Sequence, residues 1–229
     1  MKGIGSKSWN AETRHLNIQA IKGVISPYFK KAKGEDVARD NWVIEVDNIL
    51  RLSTMEGGQY DFKVGIHNLH DGKLNIELVK KIVRTLTAAV NKGPETSAYV
   101  IVGICESEKS FIEFQKFYQT EKGRRYHDTQ FYITGIDEEI QKFYGGSNDK
   151  FQNEVINIIK KEPIEEDIKN YILTHIRFPR YYDVSLLVLE LKSGQTPVTY
   201  DDNYYERRGN NAELVSGVKA MKALEARFA

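Results

Sequence analysis

Met55-Glu56-Gly57-Gly58-Gln59-Tyr60-Asp61-Phe62-Lys63-Val64-Gly65 is the stretch on which the reading of this chain turns. In a strand, side chains at i and i+2 leave on one face. A strand entered here therefore turns Asp61 and Lys63 one way and Tyr60, Phe62 and Val64 the other, into a core. Gly57 and Gly58 open backbone angles closed to other residues and can bring Glu56 back beside Asp61. A corner of two carboxylates and a lysine suits a metal or a phosphodiester.

Upstream, residues 1–11 read as a flexible start, and Ile18, Ile21, Ile25 and Tyr28 recur at helical spacing, with Pro27 bending or ending that helix. A second helix includes Ile44 to Leu52, with Ile49 and Leu52 turned inward. Downstream, His67 and His70 beside Asp71-Gly72 read as exposed loop histidines rather than metal ligands. Asn75 is the expected N-cap of a helix carrying Ile76, Val79, Val83, Leu86 and Val90 on one face, stopped by Gly93-Pro94.

Ser97 to Cys105 is an almost unbroken apolar run, as expected of a strand buried on both faces, and Glu106 is the first charge after it. The end of a buried strand is where open α/β sheets place ligands and chemistry. Phe111, Phe114, Phe117 and Tyr118 predict a helix over 107–122 with an aromatic core face. Phe131 to Ile136 is expected as a short strand, and helices are expected from Asp137, around Phe151 to Ile159, and over 164–176. Val184 to Leu191 reads as a second buried strand, Tyr204 to Gly209 as another, and 212–228 as a closing helix with Leu214, Val218, Met221 and Leu224 inward.

Basic residues cluster locally. Arg124 and Arg125 lie in a loop that is either solvated or touches phosphate, and Arg177 and Arg180 alternate with aromatics that either pack or face a nucleic-acid strand. Of Arg207 and Arg208, only one can share a strand face with Tyr205. The chain as a whole has no such bias: 33 basic and 32 acidic residues give a formal charge of +1, so any nucleic-acid binding rests on these clusters. A single cysteine, Cys105, excludes an internal disulfide framework and a multi-cysteine zinc site. Met1 to Asn10 has no apolar stretch, and no run approaches the roughly 20 apolar residues of a membrane span, so a soluble cytoplasmic protein with no membrane partner is expected.

The order of these motifs resembles the Schlafen-type AlbA-like domain. The succession is Glu56, Asp61-Phe62-Lys63, Ala88-Ala89-Val90-Asn91, Tyr99 to Glu106, and Tyr204-Tyr205-Glu206-Arg207-Arg208-Gly209-Asn210, and it covers roughly residues 44–215. Asp61 stands where that family usually has Glu, Glu106 where it has Asp, and Gly93-Pro94-Glu95-Thr96 replaces its Gly-Gly, while residues 107–130 look like an insertion. The resemblance implies an α+β fold, a small mixed sheet flanked by several helices. It implies a domain over 44–229 with a C-terminal helix at 212–228, preceded by an N-terminal helical extension over 1–43.

It also implies a metal-dependent endoribonuclease acting on structured RNA of the tRNA or rRNA class. Glu56, Asp61 and Glu106 would hold Mg²⁺ or Mn²⁺, and Lys63 would face the developing phosphorane charge. Arg124, Arg125, Arg177, Arg180, Tyr205, Arg207 and Arg208 would follow the nucleic acid. A role in phage defence and a homodimer or partner subunit belong to the same expectation. Three readings stand beside it: a non-catalytic module that binds RNA or DNA, a plain Asp61–Lys63 ion pair, and a restriction-enzyme-like site completed by Asp47, fourteen positions before Asp61.

Overall fold

The computed structural model describes residues 38–53 and 58–229. In chain order these form α1 (Ala38–Ser53), β1 (Tyr60–Lys63), α2 (Ile76–Val90), β2 (Ser97–Val102), β3 (Ile104–Cys105), α3 (Glu108–Tyr118), β4 (Arg124–Arg125) and β5 (Tyr132–Ile133). Then follow α4 (Asp137–Tyr144), α5 (Asn148–Ile159), α6 (Glu166–Thr174), β6 (Arg180–Tyr181), β7 (Val184–Ser185), β8 (Leu187–Lys192), β9 (Thr199–Tyr200), β10 (Asn203–Arg208), β11 (Asn211–Leu214) and α7 (Val218–Glu225). The expected helix within 1–43 upstream of Ala38, and Glu56, lie outside the described residues.

The class is mixed α+β. Its centre is a three-stranded sheet in the order β1-β2-β8, with β1 parallel to β2 and β2 antiparallel to β8. Parallel neighbours need a crossover, and α2 supplies it. Asn75 caps α2 by accepting the Leu78 N–H at 2.9 Å, and Val79, Ile82, Val83 and Leu86 are buried on the sheet. Ile76, expected on that face, is 48% exposed as the first residue of the helix.

Alternation along β2 divides the core in two. Ala98, Val100 and Val102 join the α2 side with Leu187, Leu189 and Leu191 of β8. Ile101, with Phe62 and Val188, joins Val46, Ile49 and Leu50 of α1 on the other side. Burying each such side chain contributes about 1.5–3 kcal/mol. Gly103, at φ +108°, breaks the long apolar run into β2 and β3. A Cβ there would meet Gly135 at 3.0 Å and Leu186 at 2.8 Å.

Three expectations need correcting. The closing helix over 212–228 is instead strand β11 followed by the shorter α7. Gly209, at φ +55°, turns the chain so that Arg208 pairs with Asn211 in an antiparallel hairpin, and Gly217, at φ +85°, delays the helix to Val218. Leu214 and Val218 are consequently exposed, and Leu224 alone of the four expected inward residues is fully buried. The strand expected over 184–191 forms two strands, β7 and β8, with Leu186 between them; the Leu186 N–H bonds Pro179 O at 3.0 Å in the register of the β6–β7 pairing. In α3 only Phe114 is fully buried; Phe111, Phe117 and Tyr118 are half-buried at the surface.

Candidate functional site

Strand alternation puts Asp61 and Lys63 on one face of β1, the α2 side, in register with Val100 and Val102. Lys63 Nζ lies 2.5 Å from Asp61 Oδ2 and also donates to Phe62 O at 2.7 Å. The other carboxylate oxygen, Asp61 Oδ1, accepts from Arg207 Nη2 at 3.3 Å. Both side chains of this second pair are buried, Arg207 to 5% exposure and Asp61 to 9%.

Arg207 arrives from the far end of the chain because Asn91 holds β10 in place. Asn91 follows the last residue of α2 and is fully buried. Its Nδ2 donates to Val198 O and Tyr205 O, each at 2.9 Å, and its Oδ1 accepts the Val198 N–H at 2.8 Å. Tyr205 and Arg207, two apart on β10, share a face. The Arg84 guanidinium of α2 lies over the Tyr205 ring, 5.6 Å from its centroid. Arg208 turns the other way, toward Glu206 and Glu213.

Glu106 completes the cluster from beyond β3. The Gly103 N–H donates to Lys63 O at 2.7 Å and ties the end of β1 to the kink before β3. Partial burial is the main cause that pushes the Glu106 carboxyl above its ordinary value; Lys63, Arg207 and Lys81 oppose the shift and Asp61 adds to it. Glu106 thus lies within electrostatic reach of the charges around Asp61. The residue as a whole is exposed, so water screens these interactions and they carry little stability.

Glu106 senses three cations, Lys63, Arg207 and Lys81, and one other carboxylate, Asp61. Among the described residues no group of three or more His, Cys, Asp or Glu side chains is placed to hold a metal ion. Asp61 has a cation on each oxygen, so Asp61 and Glu106 do not by themselves make a Mg²⁺ or Mn²⁺ site. Glu56, the third ligand implied by the resemblance, is outside the described residues. Next to Glu106, burial pushes the Cys105 thiol up to about 11, so it stays protonated at neutral pH.

The remaining predicted cations do not join this cluster. Arg124 stacks on Tyr182 at 4.9 Å and meets Asp183 at 3.4 Å, Arg180 Nη2 donates to Asp183 O at 2.9 Å, and Arg125 Nε donates to Thr129 O at 2.6 Å. These residues flank Tyr126, Tyr181 and Tyr182, which belong to the Phe62 side of the sheet. Arg177 pairs with Glu190 at 3.1 Å. Asp47 is also on that side: Tyr181 OH donates to its Oδ1 at 2.5 Å. The sheet separates Asp47 from Asp61, which removes the restriction-enzyme-like arrangement.

Two features escaped sequence reasoning. Lys81 and Arg84, three apart on α2, bring cations to the site; their helical spacing was legible, but their neighbour across the chain was not. His70 is exposed as expected, whereas the His67 side chain is 7% exposed, with Nδ1 2.7 Å from Glu139 Oε1 and its ring stacked on Phe143 at 4.0 Å. Glu139 Oε1 also accepts the Ile66 and His67 N–H groups at 2.8 Å, clamping the loop after β1 to α4.

No family model matches the chain, and no curated protein matches it. Among solved structures, a similar one is the crystal structure of the DIP2311 protein from Corynebacterium diphtheriae, a structural-genomics target. It is 14% identical, with a TM-score of 0.42 over 83% of this chain. The chain spans 33% of that protein's length. Among the described residues no helix is long and apolar enough to cross a membrane.

Proposed function

We propose that this protein is a nucleic-acid-binding module whose Asp61–Lys63–Arg207 cluster, bordered by Lys81 and Glu106, receives a phosphodiester. The observation that carries this reading is the surplus of cations at a preorganised site, with Lys63, Arg207 and Lys81 against Asp61 and Glu106. Such a field attracts a phosphate and disfavours a bare divalent cation. Asp61 holds Lys63 and Arg207 at fixed positions, so little side-chain freedom is lost when the ligand arrives. The resemblance to the Schlafen-type AlbA-like domain favours RNA over DNA, a cytoplasmic location and a homodimer or partner subunit.

A metal-dependent endoribonuclease is the second reading, favoured by the two carboxylates Asp61 and Glu106 lying within electrostatic reach of one another. It requires Glu56 as a third carboxylate and Mg²⁺ or Mn²⁺, and it would suit a phage-defence effector acting on tRNA or rRNA. The readings separate in one experiment on labelled tRNA, rRNA fragments and duplex DNA, with Mg²⁺, with Mn²⁺ and with EDTA. Binding in EDTA that weakens in Lys81→Ala, with no cleavage under any condition, supports the module. Cleavage that stops in EDTA and in Glu106→Gln supports the nuclease. Failure to bind any of the three nucleic acids overturns both.

A further inference from the structure

The face of the sheet opposite the cationic cluster carries a cleft of contrary chemistry. Tyr60 of β1 and Tyr99 of β2 are register partners, and their rings stack with centroids 5.9 Å apart and planes at 17°. They line a cleft of about 470 Å³ together with Glu45 and Asn48 of α1, Gln59, and Glu95 from the turn before β2. Among the described residues no lysine or arginine lines it. Glu95 is paired with Lys192, while Glu45 forms no ion pair among the described residues. Glu190, the register partner of Tyr99 on β8, adds a further carboxylate nearby, paired with Arg177.

Two electron-rich rings, the one carboxylate without an ion pair, Glu45, and the side-chain amides of Asn48 and Gln59 form a site that favours a cation over a phosphate. Aromatic faces attract cations through their quadrupole, and a carboxylate at the rim orients the N–H donors of an ammonium or guanidinium group. The negative neighbourhood is felt by the rings themselves: Tyr60 is raised by burial and then by Glu45, and Tyr99 is pushed up to about 12 by burial, Glu190 and Glu45.

We propose that the cleft between α1 and the Tyr60–Tyr99 pair binds a small organic cation bearing an ammonium or guanidinium group, with Glu45 as its counter-ion. The site is independent of the phosphate cluster, which lies across the sheet on the Asp61 face.

Calorimetric titration of the full chain at low salt with spermidine, and separately with methylguanidinium chloride, tests this. Saturable binding of either probe is expected, and the tighter one identifies the preferred head group. Glu45→Gln and Tyr60→Leu should each weaken it by about fivefold, while Lys81→Ala leaves it unchanged. Glu45 is exposed, so its replacement leaves folding intact. No saturation by about 10 mM of either probe, or binding that is equal in the parent and Glu45→Gln, overturns the proposal.

Discussion

Arg207 reaches Asp61 across the molecule, Nη2 to Oδ1 at 3.3 Å, from a strand 146 positions later in the chain. Lys63 occupies the other oxygen. The carboxylate thereby links the central sheet to the β10–β11 hairpin and fixes two cations, one on each oxygen.

Removing that carboxylate leaves Arg207 buried without its acid. Asp61→Ala should destabilise the fold by about 3–5 kcal/mol, the range for breaking a buried pair from one side. Urea unfolding checks this, and a loss within error of zero would make the pair a surface contact.

Asn91 has a different kind of importance. Asn91→Ala deletes three hydrogen bonds to Val198 and Tyr205 at a fully buried position. At about 1 kcal/mol for each bond it should cost about 3 kcal/mol. It should also weaken nucleic-acid binding by freeing β10, which carries Arg207. Loss of stability with unchanged binding would detach the clip from the site.

Gly65 is constrained by space rather than by backbone angle. A Cβ there would lie 2.7 Å from Glu139 Oε2 and 3.0 Å from its Oε1. Gly65→Ala should therefore cost about 1–3 kcal/mol by overpacking and shift the NMR resonances of His67, which shares that carboxylate. An unperturbed His67 would show that the clamp yields without strain.

The pH dependence of binding follows from Glu106. Its carboxyl is raised when folded, so the folded protein holds that proton more tightly than the unfolded chain does, and protonation favours the folded form. As pH falls through this raised range, a negative charge beside Lys63 and Arg207 disappears. Affinity for nucleic acid should rise as pH falls from neutrality into that raised range, and the rise should shrink in Glu106→Gln. Equal pH profiles for parent and variant would remove Glu106 from the ligand's surroundings.

Where local periodicity governs, the sequence was a sufficient guide. The Asp61–Lys63 face, the Asn75 cap of α2 and the buried run of β2 all follow from spacing alone. Over 212–228 the apolar positions Leu214, Val218 and Met221 fit a helical period, but Gly209 and Gly217 impose a hairpin and a late helix start. The arginines do not gather at one place: Arg207 meets Asp61, whereas Arg124 and Arg180 lie by Tyr182 and Asp183. A sheet has two sides, and which side Arg124 or Arg180 takes depends on Tyr182 and Asp183, partners that local spacing does not reveal. Glu139 was invisible for the same reason, since its bonds reach residues more than 70 positions away.

Contact of Lys63, Arg207 and Lys81 with a phosphate backbone sets the salt dependence of binding. Lys81 is exposed, so Lys81→Ala removes its charge without unfolding the site. Fluorescence anisotropy with a labelled RNA hairpin over a salt series should give a linear fall of log K with log salt concentration. The slope should be smaller by about 0.7–0.9 in the variant, one phosphate contact's worth. Identical slopes in parent and Lys81→Ala, or no binding at low salt, would show that these cations do not meet a phosphate backbone.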